Sequence, residues 1–183
     1  MPLFPNCPPN DYTQWVTFNQ NEEGFVNGLW NALVYTVNPE AYNNPGRMDL
    51  LVTRAARQTI AGQTDLIGVW QVIYEGKSGL SQDQWPNILN QLQGYAANLV
   101  NGRFVYLIGA KGDKVTFWRF SKTNVGVATT RAIDYNGGAG VRAIGNAANA
   151  YNYDLLLEEN EIAAILQYMF NNQPVAQNAV NWV

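Results

Sequence analysis

Two carboxylates and an ammonium stand inside otherwise apolar stretches of this 183-residue chain: Asp49 in "RMDLLVTRA", and Glu75 and Lys77 at the end of "GVWQVIYEGK". Side chains alternate along a strand, so Glu75 and Lys77 point to the same face, and Gly76 presents only backbone between them. Placed on neighbouring strands, Asp49 and Glu75 could converge on one divalent cation, with the Gly76 carbonyl as a third oxygen ligand. Mg²⁺ (or Mn²⁺) suits such a carboxylate-poor site because Mg²⁺ keeps several waters. Lys77 would then supply positive charge beside the attacking water or a scissile phosphate, where negative charge grows in the transition state. The plainer reading of the same residues is a Glu75/Lys77 surface ion pair that contributes little.

The residue types narrow the alternatives. Histidine is absent and Cys7 is the single cysteine, which removes Cys/His zinc sites, the Ser-His-Asp triad and a histidine general base. Hydrolytic chemistry must come from carboxylates, lysine, hydroxyls or a hard metal ion held by oxygen. All 11 Lys/Arg lie between Arg47 and Arg142, against six acids in that span, whereas each flank carries four acids and no base. A basic centre can meet phosphate, but the overall pI of about 4.8 argues against strong non-specific nucleic-acid binding. One cysteine, a proline-rich start with no basic residue ("MPLFPNCPP"), and no apolar run of bilayer length point to an intracellular protein of cytoplasm or nucleus, with no membrane partner.

These residues need elements to hold them. The length suits one domain spanning 1–183, with an extended arm over 1–12 and a tail over 172–183. From Asn21 a helix is expected, with Glu22 and Glu23 in its first turn and an apolar stripe from Phe25 to Val34. Residues 47–55 and 68–77 read as strands. "ARQTIAGQTDLI" between them is either a short strand or a loop. A second helix runs from a Ser81/Gln84 capping box to Gly102, with Trp85, Leu89, Leu92, Ala96 and Leu99 as its apolar stripe. "RFVYLIG" and "KVTFWRF" form a hairpin around "AKGDK". The Gly-, Ala- and Asn-rich segment 135–153 carries no firm assignment, and a last helix covers Glu158 to Asn171. The order is that of an α/β (α+β) domain with helices flanking a central mixed β-sheet.

Gln91 and Tyr95 lie one helical turn apart, on a face distinct from the Leu89, Leu92 and Ala96 stripe. Taken in order, Asp49, then Glu75-Gly76-Lys77, then Gln91-Leu92-Gln93-Gly94-Tyr95, the chain resembles the PD-(D/E)XK nuclease superfamily, the restriction endonuclease-like fold. It is most similar to members with a Q-x-x-x-Y motif on the helix after the E-x-K strand, as in type I restriction and recombination nucleases and uncharacterised fungal proteins. The match covers roughly residues 15 to 120 and includes the family's αβββαβ order. Met48 stands where the family has proline, and Gly76 where it has a bulky apolar residue.

The resemblance implies that Asp49 and Glu75 bind the metal, that Lys77 assists the attacking water, and that Gln91 with Tyr95 supports the site or contacts nucleic acid. Glu22 or Glu23 matches an acid often found on the family's first helix. Asp65, in "QTDLIG", is the other candidate for the ligand assigned to Asp49. The expected function is a hydrolase: a Mg²⁺-dependent nuclease acting on DNA, or RNA, by a metal-activated water. The rival is a catalytically inactive nuclease-like fold serving as a binding or protein-interaction module. Oligomeric state is open, a homodimer among the options.

Overall fold

A computed structural model describes residues 49–60, 63–99 and 101–174, together with Asn21 and the stretches 38–39, 42–43 and 46–47. The first helix and the N-terminal arm expected from the sequence lie outside these residues, as does the tail beyond Pro174.

Three two-residue strands come first: β1 (Asn38–Pro39), and β2 (Tyr42–Asn43), which pairs with β3 (Gly46–Arg47). The site-bearing segments then form one long antiparallel hairpin of β4 (Leu50–Ile60) and β5 (Gln63–Lys77), paired from Leu50↔Tyr74 to Ile60↔Gln63. The stretch left open between strand and loop is therefore strand on both sides of its glycine. The register shifts between Val52↔Val72 and Thr53↔Trp70, so Gln71 is the extra residue of a bulge. Its amide donates to Pro174 O at 3.4 Å. With the Tyr106 hydroxyl donating to Asn172 O at 2.6 Å, this ties the start of the expected tail to the sheet.

From β5 the chain crosses through α1 (Trp85–Ala96) to β6 (Arg103–Lys111), which pairs parallel to β5. A strand–helix–parallel strand unit is how a chain covers a sheet whose strands are buried on both faces. The "VIY" run shows why an unbroken apolar strand is needed: Ile73 packs on the α1 side, Val72 and Tyr74 on the other. β7 (Lys114–Lys122) returns antiparallel to β6 after a tight turn with Gly112 at φ +59°. Thus the expected hairpin is present, two residues longer on each strand. β8 (Ala128–Tyr135) and β9 (Val141–Ile144) extend the sheet in the order β1-β4-β5-β6-β7-β8-β9, and β10 (Tyr153–Asp154) pairs with the start of β7. Finally α2 (Glu159–Asn171) packs Ile162, Ile165 and Met169 on the face opposite α1.

The architecture is α/β: a mixed sheet with a helix on each face. Two details differ from the sequence reading. Ser81 does not cap α1; its Oγ instead accepts from Asp83 N at 3.1 Å, the N-cap is Gln84, and the helix ends at Ala96 rather than Gly102. Two long strands precede α1, because residues 56–60 and 63–67 lengthen β4 and β5 instead of forming a third strand. Among the described residues, only the two-residue β1 lies along the outer edge of β4.

Candidate active site

The site sits where β4 begins and β5 ends. Because Leu50 is level with Tyr74, the residue before it, Asp49, falls level with Glu75. Asp49 Oδ2 accepts a hydrogen bond from Gly76 N at 2.8 Å, so the two acidic segments are joined by backbone. In a strand the N–H and C=O of one residue face the same edge. The Gly76 carbonyl therefore faces the edge on which Asp49 lies, while Lys77 O faces β6 and accepts from Gly112 N at 3.0 Å.

Glu75 is 3% exposed, and its Oε1 accepts from Lys77 Nζ at 2.7 Å. That burial sets aside the surface-pair reading, since an exposed pair is screened and this one is not. Glu75 Oε2 is buried with no partner of full hydrogen-bond geometry among the described residues. Burial first, and the Asp49 charge second, push the Glu75 carboxyl up to about 7; Lys77 and the Tyr95 hydroxyl beside it pull the other way. The Tyr95 phenol is itself pushed up to about 12, by burial and then by the Glu75 and Asp49 charges. It is therefore held as a proton donor.

Four of the residues singled out by the sequence, Asp49, Glu75, Lys77 and Tyr95, thus meet in one place. Gln91 lies one turn before Tyr95 on α1 and buries its Oε1 without a partner among the described residues. Asp65 is not brought there: it pairs with Gln58 in the same strand as Glu75, ten residues away, or about 33 Å along the strand. Glu22 and Glu23 lie outside the described residues.

Gly109 is a residue the sequence reading did not single out. It stands on β6 directly across from Glu75. A Cβ there would lie 2.9 Å from Ile88 Cγ2 and 3.0 Å from Trp118 Cζ3. The missing side chain lets α1 settle onto the sheet beside Glu75, and the available signal was a glycine inside the apolar run "YLIGAK".

Among the described residues no cluster of three or more His, Cys, Asp or Glu side chains could hold a metal. A cation here would rest on two carboxylates and the Gly76 carbonyl, with water filling the remaining positions, a donor set of the kind Mg²⁺ accepts. The unmatched buried Oε2 of Glu75 fits such an ion, which would satisfy it. Comparison with protein-family models, curated proteins and solved structures returned no match. Among the described residues no helix is long and apolar enough to cross a membrane.

Proposed function

We propose that this chain is a metal-dependent nuclease with a restriction endonuclease-like core, hydrolysing phosphodiester bonds of DNA, or less favourably RNA. The observation that carries the reading is the convergence of Asp49, buried Glu75, Lys77 and Tyr95 at the end of β5. The antiparallel β4–β5 pair followed by α1 and the parallel β6 supports the same core.

Asp49, Glu75 and the Gly76 carbonyl would hold Mg²⁺ or Mn²⁺, which when bound supplies Lewis acidity and lowers the pKa of water. The chain's own groups do the rest. Lys77, fixed by Glu75, places its charge where the phosphate becomes more negative. Tyr95 keeps its proton and holds the Glu75 carboxylate in position. Gln91, one turn before Tyr95, buries a carbonyl oxygen without a partner among the described residues and supports the site from the same helix.

The second reading is a nuclease-like binding module without catalysis. One observation favours it: Asp49 Oδ2 is already engaged by Gly76 N.

The test is cleavage of labelled single- and double-stranded oligonucleotides with Mg²⁺ or Mn²⁺, alongside calorimetric Mn²⁺ binding. Cleavage is expected to vanish in Glu75→Ala and Asp49→Ala, both of which lose Mn²⁺ heat. Lys77→Met is expected to bind Mn²⁺ but to turn over roughly 10²–10³-fold more slowly. Absence of both cleavage and Mn²⁺ binding in the unaltered chain would overturn the catalytic reading in favour of the binding module.

A further inference from the structure

On the face of the sheet covered by α1, side chains fall into rows across the strands. Glu75, Gly109 and Thr116 form one row, which Asp49 extends just before β4. The next row on that face, two residues further along, is Lys77 on β5, Lys111 on β6 and Lys114 on β7. Neighbouring strands are ~4.8 Å apart, so the row extends ~10 Å across the sheet end from Lys77 to Lys114.

The three ammonium groups are not equivalent. Lys77 is matched by Glu75, and Lys114 is ion-paired with Asp154, with Asp113 and Glu158 adding to the negative field around it. Lys111 has no carboxylate within ion-pair distance among the described residues. Its Nζ donates to the neutral main-chain oxygen of Asp83 at 3.0 Å, in the segment leading into α1. An ammonium has three donors, so two of these remain for another acceptor. Lys111 is partly exposed, and its backbone is fixed by strands on both sides.

A cation with no carboxylate in ion-pair distance among the described residues, one strand away from Lys77, is suited to an anion lying across the sheet end. We propose that Lys111 holds a phosphate adjacent to the scissile one, so that the nucleic-acid strand leaves Glu75 across β6 and its contacts end at Lys114. The inference rests on the nuclease reading and adds a substrate-positioning residue and a direction to it. Asp154, Asp113 and Glu158 repel a phosphate beyond Lys114, which sets that direction's limit.

The test is fluorescence anisotropy with labelled single-stranded and duplex DNA between 50 and 200 mM salt, in a Glu75→Gln background that leaves the DNA intact. Lys111→Gln is the informative variant, because its amide can still donate to the Asp83 carbonyl while the charge is gone. It is expected to weaken binding several-fold and to lower the salt slope by about 0.7 on single strands or about 0.9 on duplex, one phosphate contact. Lys111→Arg should restore both, with thermal midpoints confirming that all variants fold. Unchanged affinity and slope in Lys111→Gln, while the unaltered chain still cleaves DNA with Mg²⁺, would overturn this inference and leave the nuclease reading standing. If the unaltered chain neither binds nor cleaves DNA, both fall.

Discussion

Glu75 pits the stability of the fold against the chemistry of the site. Its carboxylate is buried beside Asp49, and burial pushes its pKa up to about 7 from 4.5. Between those two values the folded chain keeps a proton that the unfolded chain releases. Stability therefore falls as pH rises through that window, by about 3 kcal/mol in all, and levels off above it. Glu75→Gln removes the buried charge and keeps the shape, so its thermal midpoint should equal that of the unaltered chain near pH 4.5 and exceed it at pH 8. Added Mn²⁺ should then raise the unaltered chain at pH 8, by about 2.7 kcal/mol at a hundred times Kd, and leave Glu75→Gln in place. A midpoint difference that is the same at both pH values would refute the account. The polar members of this site were legible in the sequence for two reasons: Asp49 and Glu75 each break an apolar run, and Gln91 and Tyr95 stand one helical turn apart with the spacing of a Q-x-x-x-Y motif. What the pattern could not convey was burial. A carboxylate and an ammonium two residues apart look the same in sequence whether they face solvent or lie beneath Tyr95.

At the scale of elements, the site depends on how closely α1 lies on β5 and β6. The buried line of α1 is Ile88, Leu92 and Ala96, with Trp85, Leu89 and Tyr95 at its margins. The sequence placed this helix and the burial of Leu92 and Ala96, but it took Leu89 rather than Ile88 into the buried line and set the ends too far apart. Apolar residues at both 88 and 89 leave the helix's rotation ambiguous, and it is the sheet that decides it. The ends are likewise tertiary: Pro86 near the start fits the first turn, and Lys122 Nζ, from β7, donates to Ala97 O at 2.9 Å just past the end. The gap at Gly109 sets the helix's height. Gly109→Ala forces a methyl into side chains of Ile88 and Trp118 that are already fully buried, so the helix must rise or the indole must turn. Overpacking of this kind costs about 1–3 kcal/mol. Urea denaturation should show the unfolding free energy falling by that amount and the midpoint shifting down with it, with weaker Mn²⁺ binding because Tyr95 is drawn away from Glu75. An unchanged midpoint would mean that the packing beside Glu75 is loose enough to absorb a methyl group.

At the scale of the whole molecule, one sheet separates two cores, and its far half was the part least legible in sequence. The segment from Tyr135 to Tyr153 has too much Gly, Ala and Asn to show a period, because distant partners hold it in place. The Tyr153 hydroxyl donates to Asp134 Oδ1 at 2.5 Å and accepts from Tyr135 N, Thr116 Oγ1 bonds Asn152 Oδ1 at 2.6 Å, and Leu155 N donates to Asp113 O at 2.8 Å. Contacts of that kind leave no periodicity in the local sequence. They do make the face under α2 depend on the same strands as the face under α1. Leu92 fills the α1 core and Ile165 the α2 core, both with no exposed surface. Truncating either to alanine should cost 2–5 kcal/mol, roughly, through lost burial and a residual cavity. Since the sheet stands between them and they share no partner cluster, the double variant should lose the sum to within about 0.5 kcal/mol. Each variant should also unfold in one transition, coincident by circular dichroism and tryptophan fluorescence, because neither core can persist without the strands it shares with the other. A second transition in Leu92→Ala alone would show that the α1 face, and the candidate site with it, opens independently of the rest.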